Sequence, residues 1–144
     1  AGAPLTRAKA VVLAIHGRGA DAASILTLAD VLAMPDIAFL APEAAGRAWY
    51  PQSFIAPIAA NEPWLSRSLA QIASVLDALA AAGVPDGRIA LLGFSQGACL
   101  ALETAIRRPR PYGAVIGLSG GYIGPLGEER RSADRLDGAS VFLG

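Results

Sequence analysis

The chain has 144 residues, 53% of them hydrophobic and 17% charged, enough for one globular domain with a substantial core. Twelve Lys and Arg balance twelve Asp and Glu, so the zero formal charge gives no electrostatic case for nucleic acid or an anionic membrane. Cys99 is the sole cysteine, which excludes an internal disulfide and argues against a cysteine-based metal site, and no apolar run reaches membrane-spanning length. Only Lys9 among the basic residues is lysine; with the alanine richness, this suggests a biased genome rather than a binding surface. No signal peptide is visible, so a cytoplasmic location is expected. The opening Ala1-Gly2-Ala3-Pro4 carries no initiator methionine, and a cropped start is expected there.

Residues Ala10–Ile15 are continuously apolar, which predicts a strand buried on both faces, as in a parallel sheet. The strand runs into His16-Gly17-Arg18-Gly19-Ala20-Asp21, where Asp21 can cap a helix. Ile25, Leu28, Ala29 and Leu32 then recur at helical spacing, and Met34-Pro35 stops that helix. Residues 37–41 predict a second short strand, closed by Pro42. Residues 43–60 are irregular and hold Gly46, Pro51, Pro57 and the aromatic residues Trp49, Tyr50 and Phe54; a long loop in a compact domain is usually functional. Asn61 is expected to cap the next helix, with Pro63 in its first turn. Leu65, Leu69, Ile72, Leu76 and Leu79 form its apolar stripe, and Gly83 ends it. Residues 88–93 predict a strand, and residues 96–108 a helix stopped by Pro109. A fourth strand is expected over 113–118, followed by Ser119-Gly120-Gly121. Residues 128–136 are polar and helix-like, with Glu128-Glu129-Arg130-Arg131 as a solvated face, and Ser140–Leu143 begins a fifth strand. Strands alternating with helices predict a mostly parallel α/β sheet with helices on both faces and right-handed crossovers. With no repeat or linker in sight, residues 1–144 are expected to be one domain.

The chemistry concentrates at Leu91-Leu92-Gly93-Phe94-Ser95-Gln96-Gly97-Ala98. An apolar run, Gly-x-Ser-x-Gly and a small-residue helix start predict a strand that turns sharply into a helix. Such a turn strains the serine backbone and pushes its hydroxyl out of the sheet. Gly93 and Gly97 are the small neighbours the bend needs. A helix starting at Gln96 aims free N–H groups and a partial positive charge at Ser95, which suits a nucleophile whose reaction builds an oxyanion.

Taken in this order and spacing, His16-Gly17-Arg18-Gly19, Gly93-Phe94-Ser95-Gln96-Gly97-Ala98 and Leu118-Ser119-Gly120-Gly121 resemble the motifs of the phospholipase/carboxylesterase family. That family includes acyl-protein thioesterases and small bacterial carboxylesterases of the α/β-hydrolase fold. The resemblance implies a serine hydrolase of small-molecule carboxylic or thio esters, needing no metal and no organic cofactor. It implies Ser95 as nucleophile, with the backbone N–H groups of Gln96 and Arg18 as the oxyanion hole. The family more often carries an apolar residue at the Arg18 position. The arginine either favours an acidic or polar substrate group or is a solvated loop residue. By analogy with small bacterial members, a homodimer is expected.

His16 is the only histidine, yet it ends a neighbouring strand below the oxyanion loop, where a ring ties that loop by hydrogen bonds. In α/β-hydrolases the chain order is serine, acid, histidine, so both partners follow Ser95. A structural part is therefore expected for His16, as for Gly17 and Gly19. The family places its aspartate after the strand that here begins at Ser140 and its histidine one strand later. The triad Asp and His are then absent, and the expectation is an esterase with its C-terminal units missing, about two strand–helix units of roughly 30 residues, and poorly active alone. Asp134 and Asp137 precede that strand and read as a solvated face. Trp49 and Tyr50 are expected to line the substrate pocket, the alternative being loop anchors packed on the sheet. Tyr122, with Ile123 and Leu126, is expected to form the opposite wall. Cys99 reads as a buried small hydrophobe and Ser119 as a turn hydroxyl.

Two other classes compete. Gly17-x-Gly19-x-x-Ala22 follows a strand and opens a helix, which formally satisfies a dinucleotide-binding fingerprint with Glu43 as the ribose acid, though the serine turn is then unexplained. A non-catalytic binding module is the third reading, since no base follows Ser95.

Overall fold

A computed structural model of the chain describes residues 1–127 and 138–144. The first strand, β1, is Ala10–Ile15. Two short helices follow, α1 Ala22–Leu26 and α2 Leu28–Leu32, and then β2 Ile37–Leu40. The helix expected through Leu32 is thus broken at Thr27. The Thr27 hydroxyl donates to the Ser24 carbonyl at 2.7 Å, a local bond that competes with regular helix. Asp21 caps α1 in a reciprocal box with Ser24. Ala33, at φ 49°, ends α2 before Met34-Pro35.

Helix α3 runs over Trp64–Ala81 and buries Leu65, Ser68, Ile72, Leu76 and Leu79 along one face. Asn61 does not cap it: Pro63 occupies the cap position without a side-chain bond. The Glu62 carboxylate instead takes the Ser66 N–H at 3.1 Å. Gly83, at φ 80°, closes the helix with its N–H on the Ala80 carbonyl, and the Val84 N–H reaches the Leu79 carbonyl. Then come β3 Ile89–Phe94, α4 Gln96–Arg107, β4 Ala114–Leu118 and β5 Ser140–Leu143. The polar stretch expected over 128–136, with Asp134, and Asp137 just beyond it, lies outside the described residues.

The five strands form one sheet in the order β2-β1-β3-β4-β5, and every adjacent pair is parallel. Alternate residues separate its two faces. Val11, Leu13 and Ile15 join Ile89 and Leu91 under α3 and α4 in the larger core. Ala14 and Leu92 face the other way, where Ile25 of α1 and Leu28 of α2 cover them. Helices therefore pack on both faces. The register sets Ile15 against Gly93, and Phe94 against Leu118, so three strands end side by side at the carboxyl edge of the sheet. In parallel α/β sheets that edge is where ligands bind.

Candidate active site

At the end of β3 the chain reverses into α4 through Ser95, which takes φ 52° and ψ −116°. A positive φ is rare for a residue with a Cβ and is sustained only where the surroundings enforce it. Here the Ser95 N–H is fixed to the Leu118 carbonyl at 2.8 Å, and the Ser95 carbonyl takes the Cys99 N–H. The two glycines serve different purposes. A Cβ on Gly93 would collide with the Gly97 carbonyl across the bend. A Cβ on Gly97 would collide with the Ile15 and His16 carbonyls, so the second glycine lets α4 approach the end of β1. Gly17 passes close to the Phe94 ring and carbonyl, and Gly19 has open space around it but adopts φ 79°.

A pocket of about 220 Å³ opens at this edge. Arg18, Tyr50, Gln52, Ser53, Phe54, Ser95, Gln96 and Ser119 line it. Gln96 is the first residue of α4, so its N–H has no acceptor inside the helix. Among the described residues neither the Gln96 N–H nor the Arg18 N–H meets an acceptor. Two residues with unengaged amides therefore border the same space as the serine. None of the lining residues is a histidine or a carboxylate.

His16 lies beside this site but is fully buried. Its Nδ1 bonds the Gly17 carbonyl at 2.8 Å, and its Nε2 accepts the Ala44 N–H at 3.1 Å. That pattern requires the neutral ring with its proton on Nδ1, and it leaves neither nitrogen for the Ser95 hydroxyl. The ring also leans on Trp49, with centroids 5.0 Å apart.

Trp49 does not line the pocket. It is 1% exposed, and its indole N–H donates to the His16 carbonyl at 2.8 Å, so it anchors the loop in the core. Tyr50 does line it. Burial first, then the neighbouring Cys99 thiol, pushes the Tyr50 phenol well above its ordinary pKa, so it stays neutral. Among the described residues the hydroxyl meets no hydrogen-bond partner of good geometry. Tyr122 is exposed and outside the lining, Ile123 is buried, and Leu126 points to solvent. Cys99 is buried and takes the Gly121 N–H on its sulfur at 3.4 Å. Ser119 does line the pocket, at φ 55°.

Sequence reasoning missed how the wall over Ser95 is held. The Gln96 side chain accepts the Trp49 N–H at 2.9 Å and donates to the Tyr50 carbonyl at 2.8 Å. Ser68 donates to the Trp49 carbonyl at 2.6 Å. Asn61 accepts the Gln52 N–H and donates to the Ser53 carbonyl, which is why it is buried rather than capping. Arg18 is exposed, and among the described residues it pairs with no acid. Its guanidinium donates to the carbonyls of Tyr50, Pro51 and Gln52 at 2.9, 2.8 and 2.8 Å.

The dinucleotide reading meets a direct obstacle. The Glu43 carboxylate accepts the Ala22 N–H at 2.7 Å, and Asp21 caps the same helix start. Two carboxylates thus occupy the place where that fingerprint puts a pyrophosphate. Among the described residues no group of three or more His, Cys, Asp or Glu side chains could hold a metal ion, and no helix is long and apolar enough to cross a membrane.

The sequence model of the phospholipase/carboxylesterase family matches residues 2–130. A crystal structure of a phospholipase/carboxylesterase from Dyadobacter fermentans superposes with a TM-score of 0.92 at 41% identity, over 99% of this chain and 68% of that one. The crystal structure of esterase PE8 gives 0.74 at 29% identity, over 99% of this chain and 71% of that one. An acyl-protein thioesterase 1 from Schizosaccharomyces pombe is 34% identical over 74 residues, which are 51% of this chain and 33% of the yeast protein. The chain thus matches a third of that curated relative's length. The sheet and its helices have the α/β-hydrolase-like arrangement.

Proposed function

The chain belongs to the phospholipase/carboxylesterase family, and from that premise we propose that it hydrolyses carboxylic or thio esters through an acyl-enzyme on Ser95. The Ser95 hydroxyl attacks the ester carbonyl and gives its proton to a general base. The carbonyl oxygen, now an anion, takes the Gln96 and Arg18 N–H groups. The bond to the alcohol or thiol breaks, and the base returns the proton to that leaving group. Water then attacks the acyl-serine by the same route, freeing the acid and restoring the hydroxyl. The observation that carries this reading is the strained Ser95 beside two unengaged amides in one pocket.

We assign the base and its orienting acid to polypeptide outside the described residues. Two facts support this: both His16 nitrogens are engaged, and among the described residues the pocket lining holds no carboxylate. The test compares the 144-residue chain with the full-length protein. The expected result is fluorophosphonate labelling and p-nitrophenyl ester turnover in the full-length protein, both lost in Ser95→Ala. The 144-residue chain should retain only a residual rate, on the order of 10³ to 10⁴-fold over water at most. Full turnover in the short chain, abolished by His16→Ala, would overturn the assignment of the base.

A further inference from the structure

Among the described residues Arg18 is the one charged residue lining the pocket, and its arrangement is unusual for a charge. All three of its hydrogen bonds go to consecutive backbone carbonyls, those of Tyr50, Pro51 and Gln52. A chain segment can aim three successive carbonyls at one group only by curving around it. Pro51 supplies no N–H, so at that residue only the carbonyl can hold the stretch. The planar guanidinium presents donors in a fixed fork that matches such a cradle, and a lysine ammonium does not. Arg18 also contributes one of the two amides that border the pocket. One residue therefore bonds the far wall through its side chain while its main chain faces the reacting carbonyl.

We propose that Arg18 is a positioning residue whose guanidinium fixes the wall formed by residues 50–52 relative to the oxyanion loop, and so sets the width of the substrate pocket. This rests on the esterase reading, because the role is defined by the ester held between those walls. The Gln96 amide secures the start of the segment at Tyr50, and Asn61 secures Gln52 and Ser53. Arg18 spans the stretch between these anchors and is the only bond described to the Pro51 carbonyl. The cation is not neutralised by its carbonyl partners, so recognition of an anionic substrate group is the competing role for the same side chain.

The experiment uses the full-length protein and the variants Arg18→Lys and Arg18→Ala. Hydrogen–deuterium exchange is read over residues 50–56, and steady-state kinetics on a neutral p-nitrophenyl ester and a carboxylate-bearing analogue. Losing the fork should speed exchange in that segment and raise KM about tenfold in both variants, with a smaller change in kcat. The two esters should be affected alike, and added guanidinium ion below denaturing concentration should lower the KM of Arg18→Ala. Wild-type exchange and KM in Arg18→Lys would overturn the proposal, because charge without the fork would then suffice. A loss confined to the carboxylate-bearing ester would overturn it in favour of anion recognition. If the wild-type protein turned over neither ester, the esterase reading would fail, and the exchange data would still decide whether Arg18 holds the wall.

Discussion

Replacing Gln96 by alanine isolates the contact that joins α4 to the pocket wall. The side chain is 6% exposed and makes two bonds, from the Trp49 N–H and to the Tyr50 carbonyl. Truncation affects its partners unequally. Tyr50 keeps the Arg18 donor on the same oxygen, whereas the Trp49 N–H is left in the core with no acceptor. A net hydrogen bond is worth about 1 kcal/mol, and an orphaned buried donor costs a further 1–3 kcal/mol or so, which makes about 2–4 kcal/mol in total. For a chain of this size that lowers Tm by about 6–12 °C. Urea denaturation should show a lower midpoint at an unchanged slope. Gln96→Glu supplies an internal check. Only its protonated carboxyl can accept from Trp49 and donate to Tyr50 at once. Burial raises that carboxyl's folded pKa, so its contribution is present at low pH and lost as pH rises through that value. The variant should therefore approach wild type at acid pH and fall away towards neutrality. Stability within about 0.5 kcal/mol of wild type for both variants would refute the view that this amide holds the wall.

Three further outcomes follow from the geometry. Gly97→Ala drives a methyl into the Ile15 and His16 carbonyls, so a loss of more than about 3 kcal/mol, or no folded protein, is expected by circular dichroism. An unaltered melt would contradict the close packing of α4 on β1. Asp21 holds its carboxyl below the ordinary range, chiefly through the Ser24 N–H, so it stabilises the fold above its unfolded pKa of about 3.9 and stops doing so as pH falls through the lower folded value. Asp21→Ala should flatten the acid limb of stability against pH, and an unchanged limb would count against the cap. Ser68→Ala removes the hydroxyl on the Trp49 carbonyl and should cost about 1 kcal/mol by urea denaturation.

The elements were legible where local pattern decides them. Continuous apolar runs marked β1 and β5 to the residue, β2 and β4 within one residue at one end, and β3 within one residue at each end. The stripe of α3 was readable because its period survives the whole helix. Thr27 was not, since a hydroxyl turned onto a neighbouring carbonyl leaves the apolar spacing intact. The serine turn is likewise local: strand, bend and helix are contiguous, and the two glycines state the clearance. The pocket wall is different in kind. Gln96 reaches 47 residues back to Trp49, and Arg18 reaches 33 residues forward to Pro51. No periodicity encodes such pairings. Trp49 and Tyr50 look equivalent in sequence, and only the fold decides that the indole goes to the His16 carbonyl while the phenol borders the cavity.

The segment beside Ser95 is secured by side chains drawn from the loop after β1, a turn before α3, α3 itself and the start of α4. Two of those anchors, Ser68 and Asn61, lie outside the cavity lining. The shape of the cavity can, for that reason, be altered from more places than its own surface offers. Changes at Ser68 or Asn61 would reshape it from behind, leaving Ser95 and its neighbours untouched.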